Sequence, residues 1–97
     1  MLEREIEKYL CKKIKDLGGL CEKFTSPSRR SVPDRIITLF DGHVLFVELK
    51  STTGTVSKAQ NNDHLKRFEL GVTVYVLSSK DEVDQFIDYC KRTLLCY

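Results

Sequence analysis

Pro33-Asp34 and, after thirteen intervening residues, Glu48-Leu49-Lys50 place two carboxylates and a lysine beside apolar runs. Val44-Leu45-Phe46-Val47 reads as a buried strand, and Glu48 ends it. Charged groups at the end of such a strand must leave water or gain a partner, and both cost free energy. A divalent cation is the usual way to make two converging carboxylates tolerable. Mg²⁺ or Mn²⁺ suits them, because hard ions take oxygen ligands and keep several waters; the Leu49 carbonyl could add another oxygen. Lys50, two positions from Glu48 on one strand face, cannot ligate while charged. It can hold an attacking water and neutralise charge developing on a phosphate. Acid, acid and lysine therefore suit hydrolysis of a phosphodiester. The competing reading makes Glu48 and Lys50 a surface ion pair, with Asp34 capping a loop.

Strand parity sets a condition on the first reading. Asp34, Ile36, Thr38 and Phe40 share one strand face, and Val44, Phe46, Glu48 and Lys50 share another. A two-residue turn at Asp41-Gly42 pairs Asp34 with Leu49 and points the aspartate away from Glu48. Convergence requires a loop of three or four residues, or a bulge.

The elements that must position these groups follow from periodicity and turn chemistry. Leu2 to Leu17 reads as a helix ended by Gly18-Gly19. Two stripes compete as its buried face: Leu2, Ile6, Tyr9, Leu10, Lys13 and Leu17, or Glu3, Glu7, Leu10, Ile14 and Leu17. The second carries acids at its N-terminal end. Leu20 to Thr25 is a short strand, and Ser26 to Pro33 is a loop by its prolines and serines. Asp34 to Phe40 and His43 to Lys50 form the hairpin. A helix from Lys58 to Leu70 starts at Ser57, where Ser57-Lys58-Ala59-Gln60 fits a capping box, and closes at Gly71. Val72 to Ser78 is a buried strand. Asp81 to Leu95 is a helix with Val83, Phe86, Ile87, Cys90 and Leu94 on one side. The last strand arrives through a helix, so one strand pair is expected to be parallel, and an α/β sandwich follows.

Ninety-seven residues allow one small domain, 1–97, of marginal stability, for which association into a dimer is reasonable. A formal charge of +2 does not by itself call for nucleic acid. The local balance does more: Lys23, Arg29, Arg30 and Arg35 face Asp34 alone, a basic loop beside the acids where a polyanion could be held. Four cysteines without C-x-x-C spacing argue against zinc and for reduced thiols in a cytoplasm. No signal peptide is evident, and the apolar runs are too short to span a bilayer.

Together, Val32-Pro33-Asp34-Arg35, Phe46-Val47-Glu48-Leu49-Lys50 and Ser57-Lys58-Ala59-Gln60 resemble the PD-(D/E)xK nucleases. The similarity is greatest to the stand-alone phage and bacterial type of the virus-type replication-repair nuclease (VRR-NUC) domains, and it covers nearly the whole chain. It implies a restriction-endonuclease-like αβββαβα core, with a mixed central sheet flanked by helices. It implies a Mg²⁺- or Mn²⁺-dependent endonuclease acting on DNA, expected to be branched DNA such as a Holliday junction. A homodimer in the cytoplasm of a bacterium or phage-infected host, without membrane attachment, goes with it. Flap cutting, nicking, a restriction-type function and a non-catalytic DNA-binding module are the alternatives.

By the same resemblance Asp34 and Glu48 are metal ligands with the Leu49 carbonyl, and Lys50 is the catalytic lysine. Glu7 is the helix acid, with Glu3 as fallback, and Gln60 is the motif glutamine, which also caps its helix. Ser28, Arg29, Arg30, Arg35 and Lys58 are candidates for phosphate contacts, and His64 reads as polar surface. The apolar face of the last helix and Thr93 to Tyr97 are candidates for the dimer interface.

Overall fold

A computed structural model of the chain describes residues 1–95. The first helix, α1 (Glu3–Asp16), exists because Ile6, Leu10 and Ile14 recur every fourth position and are fully buried. Glu3 and Glu5 in its first turn and Lys13 and Lys15 in its last complement the helix dipole. The buried stripe borrows from both sequence candidates, and Glu3 lies outside it, exposed to solvent. Gly18, at φ +80°, supplies the left-handed residue that ends the helix.

Four strands follow: β1 (Leu20–Lys23), β2 (Arg35–Leu39), β3 (His43–Leu49) and, after helix α2 (Lys58–Glu69), β4 (Val74–Leu77). Their spatial order is β1-β2-β3-β4, with the first two pairings antiparallel and the third parallel. Helix α3 (Lys80–Tyr89) continues into a π-helical turn over Cys90–Leu94. This is the expected αβββαβα order around a mixed sheet, with helices on both faces.

The hairpin between β2 and β3 meets the parity condition. Leu39 pairs with His43, which leaves a three-residue loop, Phe40-Asp41-Gly42. Asp41 (φ 68°) and Gly42 (φ 76°) both adopt the left-handed region, which aspartate tolerates and glycine favours. The ladder runs unbroken to Arg35–Val47, so Asp34 enters it opposite Glu48 and on the same face.

The two faces of the sheet differ sharply. Ile37, Leu39, Leu45, Val47, Leu49 and Leu77 form the buried face, against α1 and α3. Val83, Phe86, Ile87 and Cys90 of the last helix belong to this core, so its apolar face is spent within the monomer and is not a free interface. Leu94 and Leu95 are half-buried against the same core; Thr93 is exposed, and Cys96 and Tyr97 lie outside the described residues. Tyr9 Oη donates to Asp84 Oδ1 (2.6 Å), tying α1 to α3.

The opposite face carries Ile36, Thr38, Val44, Phe46 and Glu48, with only α2 beside it. Asp63 is the one buried residue of α2. β4 is shorter than the expected Val72–Ser78, and Val76, opposite Glu48 on the face that α2 flanks, is left 38% exposed. Cys11, Cys21 and Cys90 are free thiols. No helix among the described residues is long and apolar enough to cross a membrane.

Gly19 marks where α1 turns closely over β2. A Cβ there would stand 2.7 Å from Leu39 Cδ2 and 2.8 Å from the Thr38 carbonyl oxygen. Backbone cannot yield as a side-chain tip does, so Gly19→Ala should destabilise the fold by about 1–3 kcal/mol. Urea denaturation measures this; an unchanged midpoint would mean the turn can relax.

Candidate active site

Asp34 reaches the site from the residue before β2, where Pro33 is fully buried and fixes the approach of the loop. Its Oδ2 accepts the Leu49 backbone N–H at 2.8 Å, locking the carboxylate across the end of β3. Glu48 projects from β3 on the same face and is only 1% exposed. Its Oε2 accepts from Gln60 Nε2 at 2.8 Å and lies 3.6 Å from Lys50 Nζ. Its Oε1 is buried without a hydrogen-bond partner.

Gln60 gets there through helix capping. Ser57 Oγ accepts the Gln60 N–H (3.1 Å) and Gln60 Oε1 accepts the Ser57 N–H (2.9 Å), completing the capping box read from the sequence. The amide nitrogen is then left to face Glu48. One side chain both starts α2 and orients an acid.

The electrostatics of Glu48 are unusual for a carboxylate. Burial, then the neighbouring charge of Asp34 and a hydrogen bond with it, push its pKa up to about 8 against the opposing pull of Lys50. Two carboxylates held together in a dry place lack positive charge or a proton. A divalent oxygen-loving ion matches that deficit and the unpartnered Oε1, so the residues present fit such an ion. Among the described residues no group of three or more His, Cys, Asp or Glu is arranged to hold a metal, so the centre rests on the Asp34–Glu48 pair.

The remaining sequence candidates are placed as follows. Glu7 Oε2 is paired with Arg35 Nε at 2.9 Å, and Arg35 also donates to the Cys21 carbonyl at 3.0 Å. Arg35 is thereby largely covered. Arg29 is half-exposed and donates to Asp63 Oδ1 at 2.8 Å. Arg30, Ser28 and Lys58 are exposed, and the Ser28 hydroxyl lies 3.3 Å from that of Ser26.

Asp63 and Arg67 of α2 escaped the sequence reading, which puts His64 at the surface. Asp63, 3% exposed, accepts from Arg29 on the loop and from Arg67 (2.8 Å), one turn along the helix. Burial alone would raise its pKa, but the hydrogen bonds from Arg67 and Arg29 outweigh that and hold it below the usual value. Arg67 in turn stacks 5.3 Å above Phe24 and 5.4 Å from Phe46. His64 is not polar surface: its side chain is 13% exposed, and Nε2 stands 3.8 Å from Glu48 Oε1. Burial lowers its pKa. The only signal available was its spacing, four residues from Gln60 and thus on one helix face.

A mixed four-stranded sheet between helices, with two acids and a lysine at the ends of the second and third strands, defines the restriction-endonuclease-like class of α/β folds. No protein-family model matches the chain. It is 42% identical over 79 residues to "Putative nuclease p44" of Acyrthosiphon pisum secondary endosymbiont phage 1, covering 81% of this chain and 85% of that protein. A solved structure described as a VRR_NUC domain superposes with a TM-score of 0.83 at 30% identity, over 90% of this chain and 95% of the other. The chain belongs to the VRR-NUC family.

The raised pKa of Glu48 has a consequence for stability. A carboxylate that holds its proton more tightly when folded makes the folded state lose stability as pH rises, here from about pH 4.5 to about 8. Glu48→Gln removes that loss while keeping an oxygen for Gln60 and Lys50. In chelator, the variant should melt higher than wild type above about pH 8, by about 4–8 °C per kcal/mol recovered, and the gap should close toward pH 4.5. A pH-independent gap in thermal melts would show that Glu48 ionises freely.

Proposed function

We propose that the protein is a divalent-metal-dependent, structure-specific DNA endonuclease that acts as a homodimer on four-way junctions. The observation that carries this reading is the buried Glu48 carboxylate. It is set against Asp34, hydrogen-bonded on one oxygen and unmatched on the other, with Lys50 beside it. Such an arrangement is costly without a cation and useful with one.

In this reading Asp34, Glu48 and the Leu49 carbonyl hold Mg²⁺ or Mn²⁺. The ion, when bound, supplies Lewis-acid polarisation of a phosphoryl oxygen and a water of lowered pKa. Lys50, 16% exposed, orients the attacking water and offsets negative charge gathering on the phosphate. Gln60 fixes the rotamer of Glu48, so that Oε1 remains the free ligand atom. Glu7 is the third acid, which must exchange its Arg35 partner to take that role. Arg30 and Lys58, exposed, make the first phosphate contacts with Ser28; Arg29 and Arg35 follow if phosphate displaces Asp63 and Glu7.

Two copies would bring two sites to a symmetric junction for paired cuts. With the apolar side of α3 used in the core, the homodimer reading draws on α2 instead. Leu65, Phe68 and Leu70 are 51%, 68% and 72% exposed there, and Val44 is exposed on the sheet face that α2 flanks. The likeness to a phage protein supports the cytoplasm of a bacterium or infected host as the place of action.

Labelled four-way junction, flap and linear duplex should be compared at one salt concentration with Mg²⁺, Mn²⁺ and chelator. Cleavage should need the ion and be symmetric on the junction. Asp34→Asn and Lys50→Ala should each reduce it by about 10²-fold or more while leaving junction binding intact. Undiminished cutting by either variant would refute the assigned roles. Preference for flaps, or a monomer on DNA, would remove the paired-cut mechanism and keep the nuclease.

A further inference from the structure

Helix α1 gathers cations on one side. At about 100° per residue, Arg4, Lys8, Lys12 and Lys15 fall within an arc of about 80°. All four are exposed, and the α1 acids Glu3, Glu5, Glu7 and Asp16 lie outside that arc. Among the described residues none of the four takes part in an ion pair. The neighbouring helix contrasts with this. On α3 Lys80 is mixed with Asp81, Glu82, Asp84 and Asp88, and Arg92 beyond it lies 3.2 Å from Asp88.

The row is unfavourable for the helix on its own. Arg4 stands in the first turn, where a cation opposes the helix dipole, and of the four only Lys15, in the last turn, complements it. Arg4–Lys8 and Lys8–Lys12 are like charges four residues apart and Lys12–Lys15 three apart, spacings at which they repel. Unpaired cations that the helix itself disfavours fit a polyanion on its outer side.

We infer that this face of α1 is a duplex-binding surface, along which the phosphate backbone of a DNA arm lies as it leaves the active site. The inference rests on the DNA-nuclease reading and adds to it where the substrate beyond the cut is held. Arg4 and Lys8 flank Glu7 in the helix, Glu7 Oε2 is 2.9 Å from Arg35 Nε, and Arg35 follows Asp34. The row therefore starts beside the site and runs away from it. From Arg4 to Lys15 the helix rises about 16 Å, the length of roughly five phosphates along one strand at about 3.4 Å each. Contacts of this kind hold a duplex without reading its sequence. An anionic membrane fits less well, because a helix lying on lipid needs a free apolar side. Ile6, Leu10 and Ile14 of α1 are fully buried in the core.

The test uses the full chain in chelator, with fluorescence anisotropy of labelled duplex and four-way junction read over a range of salt. Lys8→Gln/Lys12→Gln/Lys15→Gln keeps good helix formers and removes repulsion, so it should melt no lower than wild type. Its DNA affinity at low salt should fall about tenfold or more, and the slope of log affinity against log salt should lessen by about 2–3. Lys8→Gln and Lys12→Gln singly should each lessen it by about 1. A second triple variant, Lys80→Gln/Lys91→Gln/Arg92→Gln, removes the same charge from α3 and its extension and should change the slope by less than about 1. Equal losses from the two triples would reduce the effect to net charge and overturn the surface, as would α1 variants that bind like wild type. Loss of binding to phosphatidylserine–phosphatidylcholine vesicles at unchanged DNA affinity would also overturn it. Wild type that binds neither duplex nor junction would overturn it together with the proposed function.

Discussion

A one-residue difference in the β2–β3 hairpin decides whether this protein has a site at all. Side chains alternate along a strand, so the count of loop residues determines which of them meet across the ladder. With Phe40, Asp41 and Gly42 in the loop, Leu39 meets His43 and Asp34 arrives opposite Glu48. A two-residue loop with the same strands turned by one position would send Asp34 to the core side, among leucines and valines. The left-handed conformations at Asp41 and Gly42 are thus a constraint on the carboxylates at the far ends of both strands. The same register puts Ile37 and Leu39 with Leu45 and Val47 on the buried face, so core packing and site assembly enforce one another.

Once Asp34 and Glu48 are opposed, the surroundings manage a charge that the fold would otherwise avoid. Gln60 donates to one oxygen of Glu48, Lys50 stands nearby, and the Leu49 N–H neutralises part of Asp34. These contacts do not balance the pair, as the upward shift of Glu48 shows. Buried, unmatched polar groups of this kind reduce stability, and carboxylates with perturbed pKa values cluster at functional sites. The stabilising counterweight lies on the other face of the sheet, where α1 and α3 enclose a continuous apolar core that asks nothing of the site.

Local features of both fold and site were legible in the chain, and long-range polar pairing was not. Alternation exposed β2 and β3, the glycines ended α1, and Ser57 with Gln60 announced the start of α2. The parity argument went further, turning a pattern of charged residues into a required loop length. Glu7–Arg35 and Arg29–Asp63 join residues 28 and 34 apart, and no periodicity encodes such partners. His64 and Asp63 looked like the solvated side of a polar helix because polarity usually means exposure. Here the sheet face beside α2 is itself polar at Glu48, so the inward side of the helix is polar too. The last helix misled in the opposite way: an apolar face reads the same whether it meets a partner or its own core.

Helix α2 is the element in which these considerations converge. None of its apolar side chains is buried; what holds it is the capping box, the Gln60–Glu48 hydrogen bond, and Asp63 clamped between Arg29 and Arg67. Arg67 adds cation–π contacts to Phe24 and Phe46. A helix anchored by polar groups depends on their charge state far more than one anchored by leucines. Its seating is therefore coupled to whatever neutralises Glu48 and to whatever competes for Arg29. Phosphate drawn to Arg29 would release Asp63 at one end of this network, while a cation at Glu48 would secure Gln60 at the other. On the proposed function, substrate and ion would thereby act on the same helix, and the thin packing of α2 would have a physical role that a fully apolar seat would remove.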